Sequence, residues 1–183
     1  MKLIKYLLLV LILSSLNTLN ANERDNQLNR LFNELKINNI ALVYGTEQKI
    51  WEIWSTHPTD ENLTLELLKG SNLMQGDTIS ESIKIFSKLI KLDPNWAEAW
   101  NKRATALYLI GDYEASQNDI DRVLELEDRH FGALAGQGLV NIKLENYEKA
   151  IESYKRAQEI YPAMQSPKIM IEQIEQLIKQ QLI

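Results

Sequence analysis

The sequence predicts an all-α protein built as a solenoid of antiparallel helical hairpins. Apolar residues recur with the 3.6-residue period of a helix from about residue 23 to the C-terminus, and no strand-like alternation exceeds a few positions. A second period, of 34 residues, joins Trp100 to Leu134 and Tyr113 to Tyr147. A two-helix unit of this length buries its apolar face only by stacking on its neighbours, which is why a solenoid is expected.

Residues 1–21 predict a secretory signal peptide. Lys2 and Lys5 flank the start of an apolar run from Tyr6 to Leu13, and Ala21 ends a polar stretch that suits cleavage. The run is shorter than the roughly 20 apolar residues that a spanning helix needs, so a permanent anchor is the weaker interpretation. We therefore expect a periplasmic protein, and anchoring in the inner membrane through an uncleaved segment is the alternative.

Residues 22–58 predict a divergent helical hairpin that does not follow the 34-residue period. Its first helix is expected from about residue 23 to residue 37, and its second ends where His57–Pro58 stops it. Trp51 and Trp54 lie three residues apart on one face of the second helix. We expect them to anchor this hairpin to the first repeat. The alternative is an exposed aromatic patch for a partner.

Three repeats are expected at residues 62–94, 95–128 and 129–162, followed by a C-terminal helix at 166–182. That last helix carries an apolar stripe, including Met170 and Ile174, which would cover the open end of the stack. We see no interdomain linker, so residues 22–183 are expected to form one domain.

Details of the first two repeats give further predictions. Leu65, Leu68 and Leu73 mark the expected buried stripe of the helix that opens the first repeat. Compared with the later units, this hairpin has one extra residue between Gly76 and Phe86, expected in the turn. Two segments have the form of capping boxes ahead of the helices that follow them, namely Thr78-x-x-Glu81 and Asn95-x-x-Glu98.

Composition excludes several classes of function. The absence of cysteine excludes disulfides, thiolate metal sites and lipid attachment at a cysteine of the signal junction. A net charge of −5 with mixed signs argues against nucleic acid as a partner. Two histidines, His57 and His130, stand at helix boundaries, where we expect them to cap helices or face solvent. We predict no metal site, no cofactor and no catalytic residues, hence a non-enzyme.

Several short motifs follow a known repeat pattern, W-x2-L-G-x2-Y, then A-x3-F, then P. The matches are Trp100-x2-Arg103-Ala104, Leu134-x2-Gln137-Gly138, Ser82-x3-Phe86 with Pro94, and Ala150-x3-Tyr154 with Pro162. Over about residues 62–162 the chain resembles tetratricopeptide repeat proteins, and as a whole it is similar to exported bacterial members. The resemblance implies a right-handed solenoid. The departures are Lys69 for a small residue, Asn72 and Asn141 for the aromatic, and Asp128 for the proline.

The resemblance also implies a concave groove, lined by the first helix of each hairpin, that holds an extended peptide or a partner helix. The implied lining residues are Glu98, Asn101, Thr105, Tyr108 and Leu109 from one unit and Ala135, Leu139, Ile142 and Lys143 from the next. The alternative is that these are ordinary solvent-facing or half-buried positions. The carboxylate clamp of chaperone-binding members is not expected, because the matching places hold Glu66, Gly70, Lys102, Gly132 and Gly136.

The predicted function is a scaffold or adaptor in the cell envelope that binds a protein or peptide partner. A structural subunit of a membrane-associated complex is the alternative, and an enzyme acting on the cell wall is less favoured, because no nucleophile constellation is found. The sequence leaves open the partner, the pathway and the oligomeric state.

Overall fold

Residues 23–37, 40–74 and 78–181 are described by the computed structural model. The predicted signal peptide and the Gly76–Asp77 turn lie outside these ranges. Within them every regular element is an α-helix, so the predicted all-α class is confirmed. The helices are α1 (23–35), α2 (Ile40–Ser55), α3 (Glu61–Leu73), α4 (Ile79–Leu92), α5 (Ala97–Leu109), α6 (Tyr113–Leu126), α7 (Phe131–Lys143), α8 (Tyr147–Ile160) and α9 (Gln165–Gln181).

Helices α3 to α8 form three stacked hairpins, α3–α4, α5–α6 and α7–α8, in which each helix packs on the next one in the chain. Helix α9 packs on α8 and on α7. Its Ile174 is buried with Ala150 and Tyr154 of α8. The amphipathic α9 therefore covers the apolar face that the last hairpin would otherwise expose.

Small residues mark the places where the two helices of a hairpin cross. A Cβ added at Gly70 would lie 2.6 Å from the Phe86 ring, and one added at Gly138 would lie 2.5 Å from the Tyr154 ring. Gly70, and not Lys69, is thus the small residue of the first repeat. Sixteen residues separate the glycine from the aromatic in both hairpins. The extra residue expected in the first hairpin is therefore not found between these two positions.

The buried stripe predicted for α3 is wrong. Leu65 and Leu68 are 57% and 51% exposed, whereas Leu67 and Gly70 are buried against the neighbouring helix. The outer face of α3 stays open because the N-terminal hairpin, formed by α1 and α2, does not stack on it as a preceding repeat would.

Neither predicted capping box is formed. The Thr78 hydroxyl donates to the Leu73 carbonyl and makes no cap bond to α4. At the start of α5 the capping position belongs to Trp96, not to Asn95. The Glu98 carboxylate turns inward, because it has a buried partner in the next repeat, described below.

The N-terminal hairpin has a core of its own. Seven of its residues are buried together: Leu28, Leu31, Phe32, Leu35, Val43, Ile50 and Trp54. Phe131 at the start of α7 and Tyr161 after α8 complete this cluster from the solenoid. The tryptophans therefore do anchor the hairpin, but they anchor it to the second and third repeats, not to the first. Among the described helices, none is long and apolar enough to cross a membrane.

Candidate functional site

The hairpin covers the N-terminal half of the face formed by α5 and α7, the first helices of the second and third repeats. The Trp51 ring lies against Gly132, where an added Cβ would be 2.4 Å from the ring. Lys102 of α5 holds its ammonium 5.8 Å from the centroid of the same ring. Trp51 thus fills the space between the two first helices, where a glycine on α7 leaves room for the indole.

Trp54 extends the contact between the hairpin and the repeats toward the loops that join successive repeats. Its ring stacks on His130 with centroids 3.9 Å apart and planes 8° apart. The Trp96 Nε1–H donates to the Trp54 carbonyl at 2.9 Å. Tyr161 donates its hydroxyl proton to Glu47 at 3.0 Å. The hairpin is therefore held by aromatic packing and by hydrogen bonds from two repeat junctions.

A buried histidine–carboxylate pair lies beneath Trp54. The His130 Nδ1 accepts the Ala133 N–H at 3.0 Å and so caps α7. Its proton must then lie on Nε2, which donates to Glu98 Oε2 at 3.1 Å. Lys102 Nζ lies 3.1 Å from the other oxygen of Glu98. Both members of the pair are at most 1% exposed, so the solvent-facing alternative for His130 is wrong.

His57 has the same arrangement near the start of α3. Its Nδ1 accepts the Asp60 N–H at 3.0 Å, and its Nε2 lies 3.0 Å from Asp93 Oδ2. The ring packs edge-on against Trp96. Both histidines are therefore buried structural residues at the junction of the hairpin with the repeats. In the described part of the chain, no group of three metal-binding side chains comes together.

The Glu98 carboxyl is held in its charged form. Burial is the largest single influence and would raise its pKa, but the interactions with His130 and Lys102, led by the hydrogen bond from His130, together outweigh burial. The pKa of Glu98 is thereby lowered below its ordinary value of 4.5. Glu98 therefore links the second and third repeats through the hydrogen bond from His130, while Lys102 of its own helix balances its charge.

The other half of the same face is open. A cleft between α5 and α7, here called the α5–α7 cleft, is bounded by Asn101, Thr105 and Tyr108 on one side and by Gly136 and Leu139 on the other. Its floor is formed by Ala104, Ser116, Ile120 and Val140. A Cβ added at Gly136 would meet only Ile120, at 3.7 Å, so space remains above this glycine.

The structure divides the predicted groove residues into four groups. Asn101, Thr105, Tyr108 and Leu139 line the α5–α7 cleft. Glu98 is not available to a partner, because it is buried against His130. Ala135 and Ile142 pack against the cluster that holds α9, while Leu109 and Lys143 are exposed outside the cleft lining. The prediction is therefore corrected at Glu98, whereas Ala135 and Ile142 are half-buried, as the alternative interpretation allowed.

Sequence reasoning missed that the α5–α7 cleft has a floor contributed by α6. Ser116 and Ile120 of α6 are not among the predicted lining residues. The 34-residue period could have shown Ile120, because it aligns with Tyr154, which packs on the small residue Gly138 in the next hairpin. Where the first helices carry glycine or alanine, side chains of the second helix can reach the face between two neighbouring first helices.

Comparison with known proteins identifies the family that the repeats match. Residues 102–164 match the family model for the tetratricopeptide repeat. A TPR repeat-containing protein of Rhizobium etli is 38% identical over 82 residues, which is 45% of this chain and 40% of that protein. Residues 102–164 therefore match the tetratricopeptide repeat that the sequence motifs predicted. The chain spans less than half the length of the curated relatives that it matches.

Solved structures show the same fold. The first TPR of Spaghetti (RPAP3), bound to an HSP90 peptide, is 20% identical with a TM-score of 0.62 and covers 64% of this chain and 93% of that one. The crystal structure of MamA is 23% identical with a TM-score of 0.60 and covers 72% of this chain and 76% of that one. The architecture is an all-α TPR solenoid.

Proposed function

We propose that this protein is a non-enzymatic adaptor that binds a protein or peptide partner in the α5–α7 cleft. The observation that carries the proposal is the opening between the first helices of two repeats, beside a half of the same face that the N-terminal hairpin fills. The structure of the first TPR of Spaghetti contains a bound HSP90 peptide. The likeness in fold supports a peptide-binding role here, whereas it supports no particular peptide.

The residues that line the open half of this face determine the size and chemistry of the partner segment that can bind there. Leu139 is 38% exposed and faces Tyr108 across the cleft, so an apolar side chain can be buried between them. Thr105 and Asn101 add polar groups beside this apolar contact. Trp51 closes the cleft at the other end, at Gly132. We therefore propose a short segment anchored by one apolar side chain.

The proposed setting is the cell envelope, because the N-terminal pattern predicts export to the periplasm. Retention in the inner membrane by an uncleaved segment is the alternative. Cell fractionation with N-terminal sequencing of the mature protein tests this separately from binding. A mature protein in the periplasmic fraction that begins at residue 22 supports the proposal, and an unprocessed protein confined to the cytoplasmic fraction contradicts it.

One observation favours a second role, as a structural subunit of a larger complex. The exposed Leu65 and Leu68 lie on the outer face of α3, at the end of the solenoid opposite to α9. Exposed leucines at an unstacked end are typical of permanent docking surfaces. Insolubility of the isolated protein, relieved by Leu65→Lys with Leu68→Lys, would favour this role over a free adaptor.

Filling the α5–α7 cleft tests the adaptor role. Gly136→Leu is expected to preserve the fold, because a Cβ at this position meets only ordinary contacts. Gly45→Leu is the matched control, since Gly45 is a helical glycine with no atom within 4 Å of an added Cβ. Both variants are used for affinity capture from envelope extract. The proposal predicts that proteins captured by the wild type and Gly45→Leu are lost with Gly136→Leu. Equal capture by both variants would refute it.

A further inference from the structure

A second cleft, of about 340 Å³, lies on a different side of α7, between the second helices α6 and α8. We call it the amide cleft. Its walls include Gln117 and Asp121 of α6, Gln137 and Asn141 of α7, and Lys149 and Arg156 of α8. Among its lining residues the only apolar one is Leu144. It shares no lining residue with the α5–α7 cleft, so it is a separate candidate for binding.

In the preceding repeat an arginine occupies the position that corresponds to Gln137. Arg103 reaches across from α5 and bonds Asp119 with two N–H groups at 2.7 Å and Ser87 with a third at 3.1 Å. One repeat later the same three places hold Gln137, Ser153 and Asp121, which are also hydrogen-bonded together. The shorter glutamine keeps the link between helices but does not fill the space that the arginine fills.

The repeat pattern points to the same difference. The family pattern has leucine and tyrosine at the positions of Gln137 and Asn141. Apolar side chains there would pack between α6 and α8. Two amides in their place leave a polar cavity, which is costly unless its polar groups are satisfied. We therefore expect the cavity to hold water or a polar ligand.

Several polar groups of the cleft have hydrogen-bonding capacity to spare. Asn141 is 5% exposed, and its Nδ2 donates to Gln117 Oε1 at 3.0 Å and to the Gln137 carbonyl at 2.9 Å. No described group donates to its Oδ1. Gln117 and Gln137 each donate one N–H to Asp121 Oδ1, and each has a second N–H left over. Free donors and acceptors thus lie side by side, as they do along a peptide main chain.

We propose that the amide cleft binds an extended polypeptide segment through its main chain. A sugar is less suited, because no aromatic ring lines the cleft. A simple anion is less suited as well, since Asp121 and Glu152 line it together with Lys149 and Arg156. The rise of α8 from Lys149 to Arg156 is about 10 Å, which is the length of about three extended residues.

Side-chain amide NMR signals give a direct test. The probe is a capped hexapeptide of alternating serine and threonine, added to the full chain labelled with nitrogen-15. Its partner probe is the same peptide N-methylated at alternate residues, which keeps the side chains and removes main-chain donors. The proposal predicts that the first probe shifts the amide signals of Gln117, Gln137 and Asn141. It predicts that N-methylation weakens binding by about fivefold or more for each hydrogen bond lost.

Two variants keep the test decisive. Gln117→Ala removes a half-buried amide at the edge of the cleft and should weaken the first probe by about fivefold, with the fold unchanged. Gly136→Leu, which fills the α5–α7 cleft, should leave the probe's affinity unchanged, so failure of one site is distinguishable from failure of the other. No shift of the three amide signals, or equal binding of both peptides, would show that the cleft holds only water and overturn the proposal.

Discussion

The two halves of the face formed by α5 and α7 differ in one respect, namely what covers them. At the N-terminal half, Gly132 lies under Trp51, and Glu98 is buried with His130. At the C-terminal half, Gly136 lies one helical turn further along α7 and opens into the α5–α7 cleft. The face formed by α5 and α7 is thus buried under the hairpin in its N-terminal half and open to a partner in its C-terminal half. Repeat position alone does not decide whether a residue can contact a partner.

The covered half also shows why the hairpin belongs to the fold. Within the N-terminal cluster, most buried residues come from α1 and α2 themselves, and the solenoid adds Phe131 and Tyr161. Because Trp54 lies between the two sets, it is the residue that joins the hairpin's own core to the repeats. The following changes test this division, from the largest expected effect to the smallest.

Trp54→Ala should have the largest effect. Trp54 is 4% exposed and stacks on His130, so its removal leaves a cavity and uncovers the buried histidine. We expect the free energy of unfolding to fall by about 3–5 kcal/mol, measured by urea denaturation. Tyr44→Ala on the same helix is the control, because Tyr44 is 67% exposed and should change stability by less than about 0.5 kcal/mol. Similar losses for both variants would show that Trp54 is not an anchor.

Glu98→Gln should destabilise the protein by about 1–3 kcal/mol at neutral pH, because the variant keeps an acceptor for His130 but loses its charge beside Lys102. The folded-state pKa of Glu98 is lowered below 4.5. Its contribution is therefore fully present above pH 4.5 and is lost as the pH falls through the folded value. Unfolding curves should show the difference between wild type and variant shrinking below pH 4.5. A difference that stays constant there would contradict a buried, charged Glu98.

Alanine at Gly132 and at Gly136, two of the three glycines of α7, should act in opposite directions. Gly136→Ala should stabilise by about 1 kcal/mol, since alanine is the better helix former and its Cβ has room. Gly132→Ala gains the same helix propensity but forces Trp51 to move, at a cost of about 1–3 kcal/mol. Thermal unfolding of both variants measures the difference. Equal stabilisation by both would mean that Trp51 does not lie on Gly132.

Tyr161→Phe should have the smallest effect, a loss of about 1 kcal/mol from the hydrogen bond to Glu47. Burial, followed by the hydrogen bond to Glu47 and its charge, raises the pKa of Tyr161 to about 12. The tyrosine's contribution is therefore present below pH 10 and is lost as the pH rises from 10 to about 12. Urea denaturation between these pH values should show a decline in wild type that is weaker in the variant. An identical decline in wild type and variant would mean that groups other than Tyr161 cause the loss of stability.

Much of the fold was predictable because it depends on local spacing. The 3.6-residue period fixed the helices, and the 34-residue period located the second and third repeats. The alignment of Gly70 with Ala104 and Gly138 was also available in the sequence. Gly76 does not reveal this alignment, because it precedes Gly111 by 35 residues, one more than the repeat period.

The docking of the N-terminal hairpin was not predictable in the same way. Two tryptophans three residues apart indicate a buried face, but their spacing carries no information about the surface that they meet. For the same reason Glu98 was predicted as a groove residue, since a charged residue on a first helix is normally exposed. Only the contact with His130, 32 residues away, shows that it is buried. The open residues Thr105, Tyr108 and Leu139 were predicted because no distant segment covers them.

Nuclear Overhauser effects from the Trp51 indole test the central claim most directly. With the chain labelled at tryptophan and glycine, the structure predicts strong effects between the Trp51 ring and the α protons of Gly132, which the ring contacts. It also predicts effects to the His130 ring, whose centroid lies 5.5 Å from that of Trp51. Effects instead to Leu65 and Leu68 of α3, without any to Gly132, would place the hairpin on the first repeat and contradict the account.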